Sequence, residues 1–250
     1  MKKAFARTSK SASRCSGVND LGVLKVQQRG GVLLLTLNRP EVRNALSNEL
    51  AQALLDAVRT AGACDEVHAV ILAGDRRAFS AGTDLKQRRS LTAQEKWRQS
   101  RTLWHLTQEI ARSPKVVVAA IDGWCLGGGF ELALACDLRI AAPEARFGWP
   151  EMTLGAYPGA GAAVLLPRIV GIARAKSMFF TARRLDAAEA LAIGLVGRVV
   201  RGDQLVDAAL AWVDSLRHAP PAGVAAAKRS IDDGAGSTVE FGPEHRRNVA

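Results

Sequence analysis

Leu126–Asp137 reads LGGGFELALACD and is the most informative segment of the chain. It follows the apolar run Val116–Asp122, which predicts a strand. Three successive glycines are unfavourable unless the backbone must pass close to something. The residues after them favour a helix over Gly128–Ala135. The glycines therefore indicate either a tight strand-to-helix turn with close packing or a backbone loop that approaches a ligand.

The first turn of this predicted helix carries the first candidate chemical groups. Its free N–H groups point out of the positive helix end and can hold an anion, or a carbonyl oxygen that gains negative charge. Glu131 follows one turn later among apolar neighbours. Burial would raise the pKa of its carboxyl towards neutrality, which suits general acid–base chemistry. A solvent-facing carboxylate favoured by the helix dipole is the alternative.

Two further segments contain groups of the same kind. Glu151 ends the segment Phe147–Glu151 (FGWPE), where Pro150 restricts the preceding residue and so fixes the approach to the acid. It is either a partner that shares one water with Glu131 or a solvated loop glutamate. The small residues of Phe79–Leu85 (FSAGTDL) allow another backbone N–H to reach a ligand.

Several enzyme classes lack their motifs in this chain. No G-x-S-x-G surrounds Ser80, and the glycine run is neither a P-loop nor G-x-G-x-x-G. The four cysteines and four histidines are scattered, without a C-x-x-C or H-E-x-x-H pattern, so we predict no metal site.

The chain has 250 residues, a net charge of +10 and a sequence pI near 10.0. This charge suits a polyanionic partner or serves solubility alone. With 5% aromatic residues and no RNP-type motif, we do not expect a nucleic-acid partner, and a basic RNA-binding protein is the alternative from another class. No apolar run approaches the roughly 20 residues that span a bilayer, so we expect no membrane association.

Strands alternate with helices along the chain, which predicts an α/β fold. We expect a disordered basic N-terminal extension over residues 1–20, a core with the active site over 21–202, and a helical C-terminal region over 203–250. The predicted strands are Val32–Asn38, His68–Ala73, Val116–Asp122 and Leu138–Ala141. The predicted helices are Asn48–Ala61, Thr92–Arg112, Gly128–Ala135, Ala162–Ile169, Arg174–Phe180, Ala187–Ile193, Gln204–Leu216 and Ala222–Asp232.

Several motifs in this order resemble one family, the enoyl-CoA hydratase/isomerase or crotonase family. The resemblance covers about residues 22–215 and is specific because the motifs occur together. The matching segments are Leu37–Pro40 (LNRP), Asn44–Leu46 (NAL), Phe79–Leu85, Ala119–Gly123 (AAIDG), Leu126–Asp137, Phe147–Gly161 (FGWPEMTLGAYPGAG), Leu166–Arg168 (LPR) and Ala188–Gly197 (AEALAIGLVG).

The resemblance implies a spiral of repeated ββα units followed by a helical region, which looks shortened here. It also implies an oxyanion hole made by the backbone N–H groups of Thr83 and Gly128. Glu131 would activate water and Glu151 would protonate the substrate. The implied substrate-binding residues are Arg43, Ala45, Ala81, Gly82, Asp84, Leu85, Lys86, Trp124, Leu126, Gly129, Pro150, Leu154 and Gly159.

The activity implied by the resemblance is hydration of a trans-2-enoyl-CoA, in fatty-acid or branched acyl-CoA catabolism. Coenzyme A belongs to the substrate, and no separate cofactor is expected. An isomerase, decarboxylase or thioester hydrolase on the same scaffold is the alternative. The implied assembly is a homotrimer or a dimer of trimers, in the bacterial cytoplasm or, alternatively, the mitochondrial matrix.

Overall fold

The computed structural model describes residues 19–20 and 22–234 of the chain. The expected N-terminal extension, apart from Asn19–Asp20, and the end of the expected C-terminal region lie outside the described residues. The strands are β1 (Asn19–Asp20), β2 (Leu24–Arg29), β3 (Val32–Leu37), β4 (Ala69–Ala73), β5 (Ala78–Ser80), β6 (Val116–Ile121), β7 (Trp124–Leu126), β8 (Leu138–Ala141), β9 (Arg146–Gly148), β10 (Leu185–Asp186) and β11 (Arg198–Val199).

Nine α-helices lie within these described residues, together with short 3₁₀ segments such as Pro150–Leu154. The predicted strands and helices are confirmed to within two residues at each end. The helices are α1 (Asn48–Ala63), α2 (Leu85–Ser90), α3 (Ala93–Arg112), α4 (Gly128–Ala135), α5 (Ala162–Val170), α6 (Ile172–Thr181), α7 (Ala187–Ala192), α8 (Leu205–Asp214) and α9 (Pro221–Gly234).

A seven-stranded mixed sheet forms the larger layer, with the order β1-β2-β3-β4-β6-β8-β11. The pairs from β3 to β11 are parallel, whereas β1, β2 and β3 pair antiparallel. All five residues of β4 and five of the six residues of β6 are buried. Continuous apolar runs of this kind are typical of parallel strands covered on both faces.

A second sheet of four short strands, in the order β10-β9-β7-β5, lies beside the first. The strands β5, β7 and β9 are parallel, and each follows a strand of the larger sheet, namely β4, β6 and β8. The chain therefore repeats a long strand, a short strand and a helical segment. This repetition confirms the expected crotonase-like spiral of ββα units.

The helices begin where the sequence offers caps. Ser47 accepts a hydrogen bond from the N–H of Leu50 and caps α1. The predicted capping box of Thr92 and Glu95 is present at the start of α3. Caps of this kind satisfy N–H groups that a helix leaves unpaired in its first turn.

The C-terminal helix α8 packs on the larger sheet rather than apart from it. Leu205, Ala209 and Val213 of α8 share an apolar cluster with strand residues such as Ile71 and Val118. This face of the sheet lies opposite the one that packs against α1 and α3. The parallel order of β5, β7 and β9 leaves the ends of these strands, and the loops that follow them, side by side.

Candidate active site

A cavity of about 500 Å³ opens where the chain leaves β5, β7 and β9. The carboxyl ends of neighbouring parallel strands meet at one sheet edge, which is where open α/β sheets place ligands. Of the residues predicted to form the site, ten line this cavity: Ala81, Gly82, Thr83, Leu85, Gly128, Glu131, Pro150, Glu151, Leu154 and Gly159.

The backbone around Thr83 is held by an isolated parallel bridge to Leu46. The N–H of Leu46 donates to the carbonyl of Gly82 at 2.7 Å, and its own carbonyl accepts from the N–H of Asp84 at 3.0 Å. Thr83 lies between the two residues that bond to Leu46. In a parallel bridge this residue directs its own N–H away from the partner strand. The N–H of Thr83 therefore points away from Leu46.

The loop after β7 lies directly against the loop after β5. A methyl group at Gly82 would lie 2.9 Å from the carbonyl oxygen of Leu126 and 3.3 Å from the nitrogen of Gly128. Gly82 and Gly127 have φ values of +94° and +51°, in the region that favours glycine. Both glycines are therefore required for this approach, which brings the amide groups of Thr83 and Gly128 to one wall of the cavity.

Each glycine of the triplet faces a different neighbour. A methyl group at Gly127 would lie 2.9 Å from Oε1 of Glu151, and one at Gly128 would lie 2.7 Å from Cδ2 of Leu103. One at Gly129 would lie 2.5 Å from Cβ of Ser80. The turn is therefore tightly packed, as the first interpretation predicts, and Gly127 and Gly128 also line the cavity, while the approach to a ligand stays a prediction.

Glu131 is 2% exposed, so the solvent-facing alternative is wrong for this residue. Its Oε1 atom accepts hydrogen bonds from the N–H groups of Ala160 at 2.6 Å and Ala162 at 3.2 Å. Burial raises the pKa of Glu131 to about 8, against the lowering effect of these two bonds, and the charge of Glu151 raises it further. The carboxyl is thus poised to exchange a proton near neutral pH.

Glu151 lies in the 3₁₀ segment Pro150–Leu154 and is partly buried. Burial raises the pKa of its carboxyl above the ordinary value. Its contact with Gly127 places it beside the start of α4, the helix that carries Glu131. The two acids therefore reach one cavity from two different elements, as the sequence predicts.

An aromatic stack holds these two elements together. The ring of Trp149 lies between Phe130 and Phe179, with centroid separations of 4.4 and 4.5 Å. Phe130 directly precedes Glu131, and Trp149 comes two residues before Glu151. Stacked rings add specific packing energy to the area they bury. The relative position of the two acids thus depends on rings that lie outside the cavity.

Asp84 forms an ion pair and a helix cap with other residues of the protein. Its carboxylate lies 2.9 Å from Nη1 of Arg39 and also accepts from the N–H of Gln87 as the cap of α2. The pKa of Asp84 is below its ordinary value, because these hydrogen bonds and the charge of Arg39 outweigh the effect of burial. Asp84 does not line the cavity, and it fixes the loop that carries Thr83.

Six other predicted substrate contacts also lie outside the cavity wall. Trp124 places its ring 5.3 Å from Cζ of Arg184, and Gly129 packs on Ser80. Arg43 and Lys86 are exposed, Ala45 is buried, and Leu126 ends β7. Their role in binding stays a prediction.

The cavity also contains polar residues that the sequence analysis did not single out. Arg88, Gln99 and Ser100 line one wall, on α2 and α3, and Tyr157 lies in the loop before α5. Arg88 is one of two successive arginines in a basic helix, so no local pattern marks it as the one that faces inward. Only the packing of α2 against α3 distinguishes it.

The described residues contain no group of three or more side chains able to hold a metal ion. Over the same residues, no helix is long and apolar enough to cross a membrane.

Comparisons with known proteins identify the class to which this fold and site belong. Residues 27–246 match the family profile described as "Enoyl-CoA hydratase/isomerase". The structure superimposes on the crystal structure of an enoyl-CoA hydratase from Bacillus anthracis with a TM-score of 0.83 and 34% identity, covering 91% of this chain and 89% of that one. The chain therefore belongs to the enoyl-CoA hydratase/isomerase, or crotonase, family.

Two curated relatives have similar coverage. The probable enoyl-CoA hydratase EchA17 of Mycobacterium tuberculosis is 39% identical over 206 residues, which is 82% of this chain and 78% of the relative. The bovine "Enoyl-CoA hydratase domain-containing protein 2, mitochondrial" is 41% identical over 209 residues, which is 82% of this chain and 71% of the relative.

Proposed function

We propose that this protein is an enoyl-CoA hydratase, which adds water across the C2=C3 double bond of a trans-2-enoyl-CoA. The observation that carries the proposal is the position of two carboxyl groups, the buried Glu131 and the partly buried Glu151, on the cavity that Thr83 and Gly128 also line. The names of the relatives support this activity. The net charge of +10 suits the phosphates of coenzyme A.

The backbone amides supply the first part of the mechanism. The thioester oxygen accepts hydrogen bonds from the N–H groups of Thr83 and Gly128. These bonds strengthen as the oxygen gains enolate character, so they stabilise the transition state more than the bound substrate. Withdrawal of electrons towards this oxygen makes C3 electrophilic.

The two glutamates supply the second part. The oxygen of a water molecule bonds to C3 while Glu131 takes one of its protons. The electron pair of the double bond passes through the enolate to C2, where it takes the proton of Glu151. One C–O bond and one C–H bond form, one π bond breaks, and the proton lost by Glu151 is matched by the one gained by Glu131.

This scheme requires an ionised Glu131 and a protonated Glu151, whereas burial raises the pKa of Glu131 to about 8 in the protein without substrate. Burial raises both pKa values, and two ionised carboxylates side by side repel each other. The proton that Glu131 holds near neutral pH must therefore pass to Glu151 before water adds to C3, and two interacting carboxyls of this kind titrate together. With one proton on the pair, one carboxyl is an acid and the other a base, as hydration and its reversal both require.

The decisive experiment follows the loss of enoyl-thioester absorbance with crotonyl-CoA. We expect wild-type turnover, and a loss of about 10²–10⁴-fold in kcat for both Glu131→Gln and Glu151→Gln, the range typical of general acid–base groups. Glu66→Gln, which changes an exposed glutamate, is the matched control and keeps wild-type rates. Circular dichroism verifies that each variant is folded.

Folded wild-type protein that leaves crotonyl-CoA and longer enoyl-CoAs unchanged would contradict the proposal. Product analysis on several acyl-CoAs then identifies isomerase, decarboxylase or thioester hydrolase activity. The implied homotrimer, or dimer of trimers, also stays a prediction, which light scattering tests as about three or six times the chain mass of 26.6 kDa.

A further inference from the structure

Arg88 lines the cavity that contains Glu131 and Glu151. It lies on α2 and is half-buried, so its guanidinium has lost part of its contact with water. Burial lowers the pKa of this side chain. A cation in such a place is unfavourable unless another group compensates its charge.

The hydrogen bonds of Arg88 go to neutral groups. Nη1 donates to Oε1 of Gln99 at 3.0 Å, to the carbonyl of Lys96 at 3.3 Å and to Oγ of Ser100 at 3.4 Å. Among residues 22–234, no carboxylate forms an ion pair with Arg88, and Nε and Nη2 donate no hydrogen bond. The charge and most of the donors of this arginine are therefore open to a ligand.

Arg88 and Gly128 both contact the helix α3, which relates the position of Arg88 to that of the proposed oxyanion hole. Ser100, which contacts Arg88, lies three residues before Leu103 and so on the same side of the helix. Leu103 in turn packs against Gly128, one of the two amides proposed to hold the thioester oxygen. Arg88 therefore contacts the same side of α3 that packs against Gly128, and both residues line one cavity.

We propose that Arg88 binds a carboxylate at the far end of the acyl group, so that the preferred substrates are enoyl thioesters of dicarboxylic acids. This inference rests on the proposed function, because it places the thioester at Thr83 and Gly128. A guanidinium binds a carboxylate through two parallel hydrogen bonds, which an uncharged acyl end cannot form. Gln99 and Ser100 hold the guanidinium on the cavity wall.

Two substrates of equal chain length test the proposal: glutaconyl-CoA, which ends in a carboxylate, and pent-2-enoyl-CoA, which ends in a methyl group. We expect the wild type to prefer glutaconyl-CoA by at least tenfold in kcat/KM. Arg88→Gln lowers this preference about 10- to 100-fold, as expected for a charge-assisted hydrogen bond, and Arg88→Lys restores part of it. Arg89→Gln, an exposed neighbour on the same helix, leaves the preference unchanged.

Three results would overturn the proposal: a wild type without this preference, a preference that Arg88→Gln leaves unchanged, and an equal loss with both substrates. An equal loss together with weaker inhibition by free coenzyme A assigns Arg88 to a phosphate of the carrier. An equal loss with a lower melting temperature assigns it to the α2–α3 contact alone.

Binding of the saturated analogues separates this proposal from the proposed reaction. Calorimetry with glutaryl-CoA and pentanoyl-CoA measures recognition of the carboxylate without any turnover. A preference for glutaryl-CoA that Arg88→Gln removes supports the role of Arg88 even where neither enoyl-CoA is hydrated. Equal affinities in the wild type contradict that role even where hydration is fast.

Discussion

Glu131 holds its carboxyl group where ionisation is unfavourable, since it is 2% exposed and lies near a second acid. Its pKa rises from an ordinary value of 4.5 to about 8 on folding. Between these two pH values the native state keeps a proton that the unfolded chain has released. Protein stability attributable to this group is therefore fully present below pH 4.5 and is lost as the pH rises through about 8.

Replacement of Glu131 by glutamine removes this titration. The glutamine side chain keeps an oxygen for the N–H groups of Ala160 and Ala162 but has no charge to bury. We expect the melting temperature of Glu131→Gln, relative to that of the wild type, to rise by several degrees between pH 5 and pH 8.5. In a chain of this size, each kcal/mol of stability shifts the melting temperature by about 2–4 °C. Differential scanning calorimetry measures this, with Glu66→Gln as the exposed control. If the difference in melting temperature between Glu131→Gln and wild type were the same at every pH in this range, Glu131 would titrate normally.

The sequence analysis named ten of the residues that line the cavity but not all of them. Glu131, Glu151, Thr83 and Gly128 belong to segments with unusual local composition, which made them recognisable. Arg88 has no such signal, because its role depends on the contact of α2 with α3. Asp84 was expected to bind substrate, and no local pattern indicates that Arg39, 45 residues earlier, pairs with it.

The contact between α4 and β5 shows how closely the elements around the cavity are packed. Gly129 of α4 leaves no space for a side chain, since a methyl group there would lie 2.5 Å from Cβ, 2.7 Å from Oγ and 2.8 Å from the carbonyl oxygen of Ser80. The backbone of β5 cannot move independently, because Ser80 Oγ donates to the carbonyl of Asn44 at 2.8 Å. The glycine is therefore required for packing rather than for an unusual φ.

Gly129→Ala should separate α4 from β5. Overpacking of this kind costs about 1–3 kcal/mol, and it displaces Gly128 relative to Thr83, so turnover falls as well. Gly223→Ala is the matched control: this glycine lies in α9 with nothing within 4 Å of the added methyl group. The control should be neutral or stabilising by up to about 1 kcal/mol, since alanine favours helices. Urea unfolding measures the free energy of unfolding of both variants. Equal changes in Gly129→Ala and Gly223→Ala would contradict the conclusion that Gly129 is required for packing.

Long elements were predictable, whereas short ones were not. The strand β6 and the helix α3 have periodic or continuous apolar patterns and clear caps, and both were predicted. The strands β5, β7 and β9 have three residues each, too few to show a period. Their pairing partners lie 20 or more residues away, and these strands form the edge that carries the site.

The C-terminal helix α9 is joined to the centre of the molecule by one lysine. Nζ of Lys228 donates to the carbonyls of Ile110 and Lys115 at 3.2 and 3.3 Å and lies 2.9 Å from Oδ2 of Asp137. The same carboxylate oxygen accepts from the N–H of Val117 at 2.7 Å. Burial raises the pKa of Asp137, although Lys228 opposes this effect. This ammonium group thus connects α9 to α3, to the residue before β6 and to Asp137, which lies between α4 and β8.

Lys228→Met leaves the Asp137 carboxylate buried without its partner. We expect a loss of about 2–4 kcal/mol in the free energy of unfolding, because one member of a largely buried pair has been removed. Arg229→Met, at the next and exposed position of α9, should change stability by less than about 0.5 kcal/mol. Chemical denaturation of the full chain distinguishes the two. Equal effects would mean that α9 is not held through this lysine.

The amide groups beside the cavity belong to the main chain, which has a consequence for how such enzymes diversify. Almost any replacement of the Thr83 side chain leaves its N–H in place, since the bridge with Leu46 involves backbone atoms alone. Glu131 and Glu151, by contrast, can each be exchanged by a single codon change. A duplicated gene that lost either acid would still encode both main-chain amide groups, which we propose hold the thioester oxygen. In the proposed mechanism, loss of an acid would change the chemistry at C2 or C3 while the main chain continued to hold the thioester.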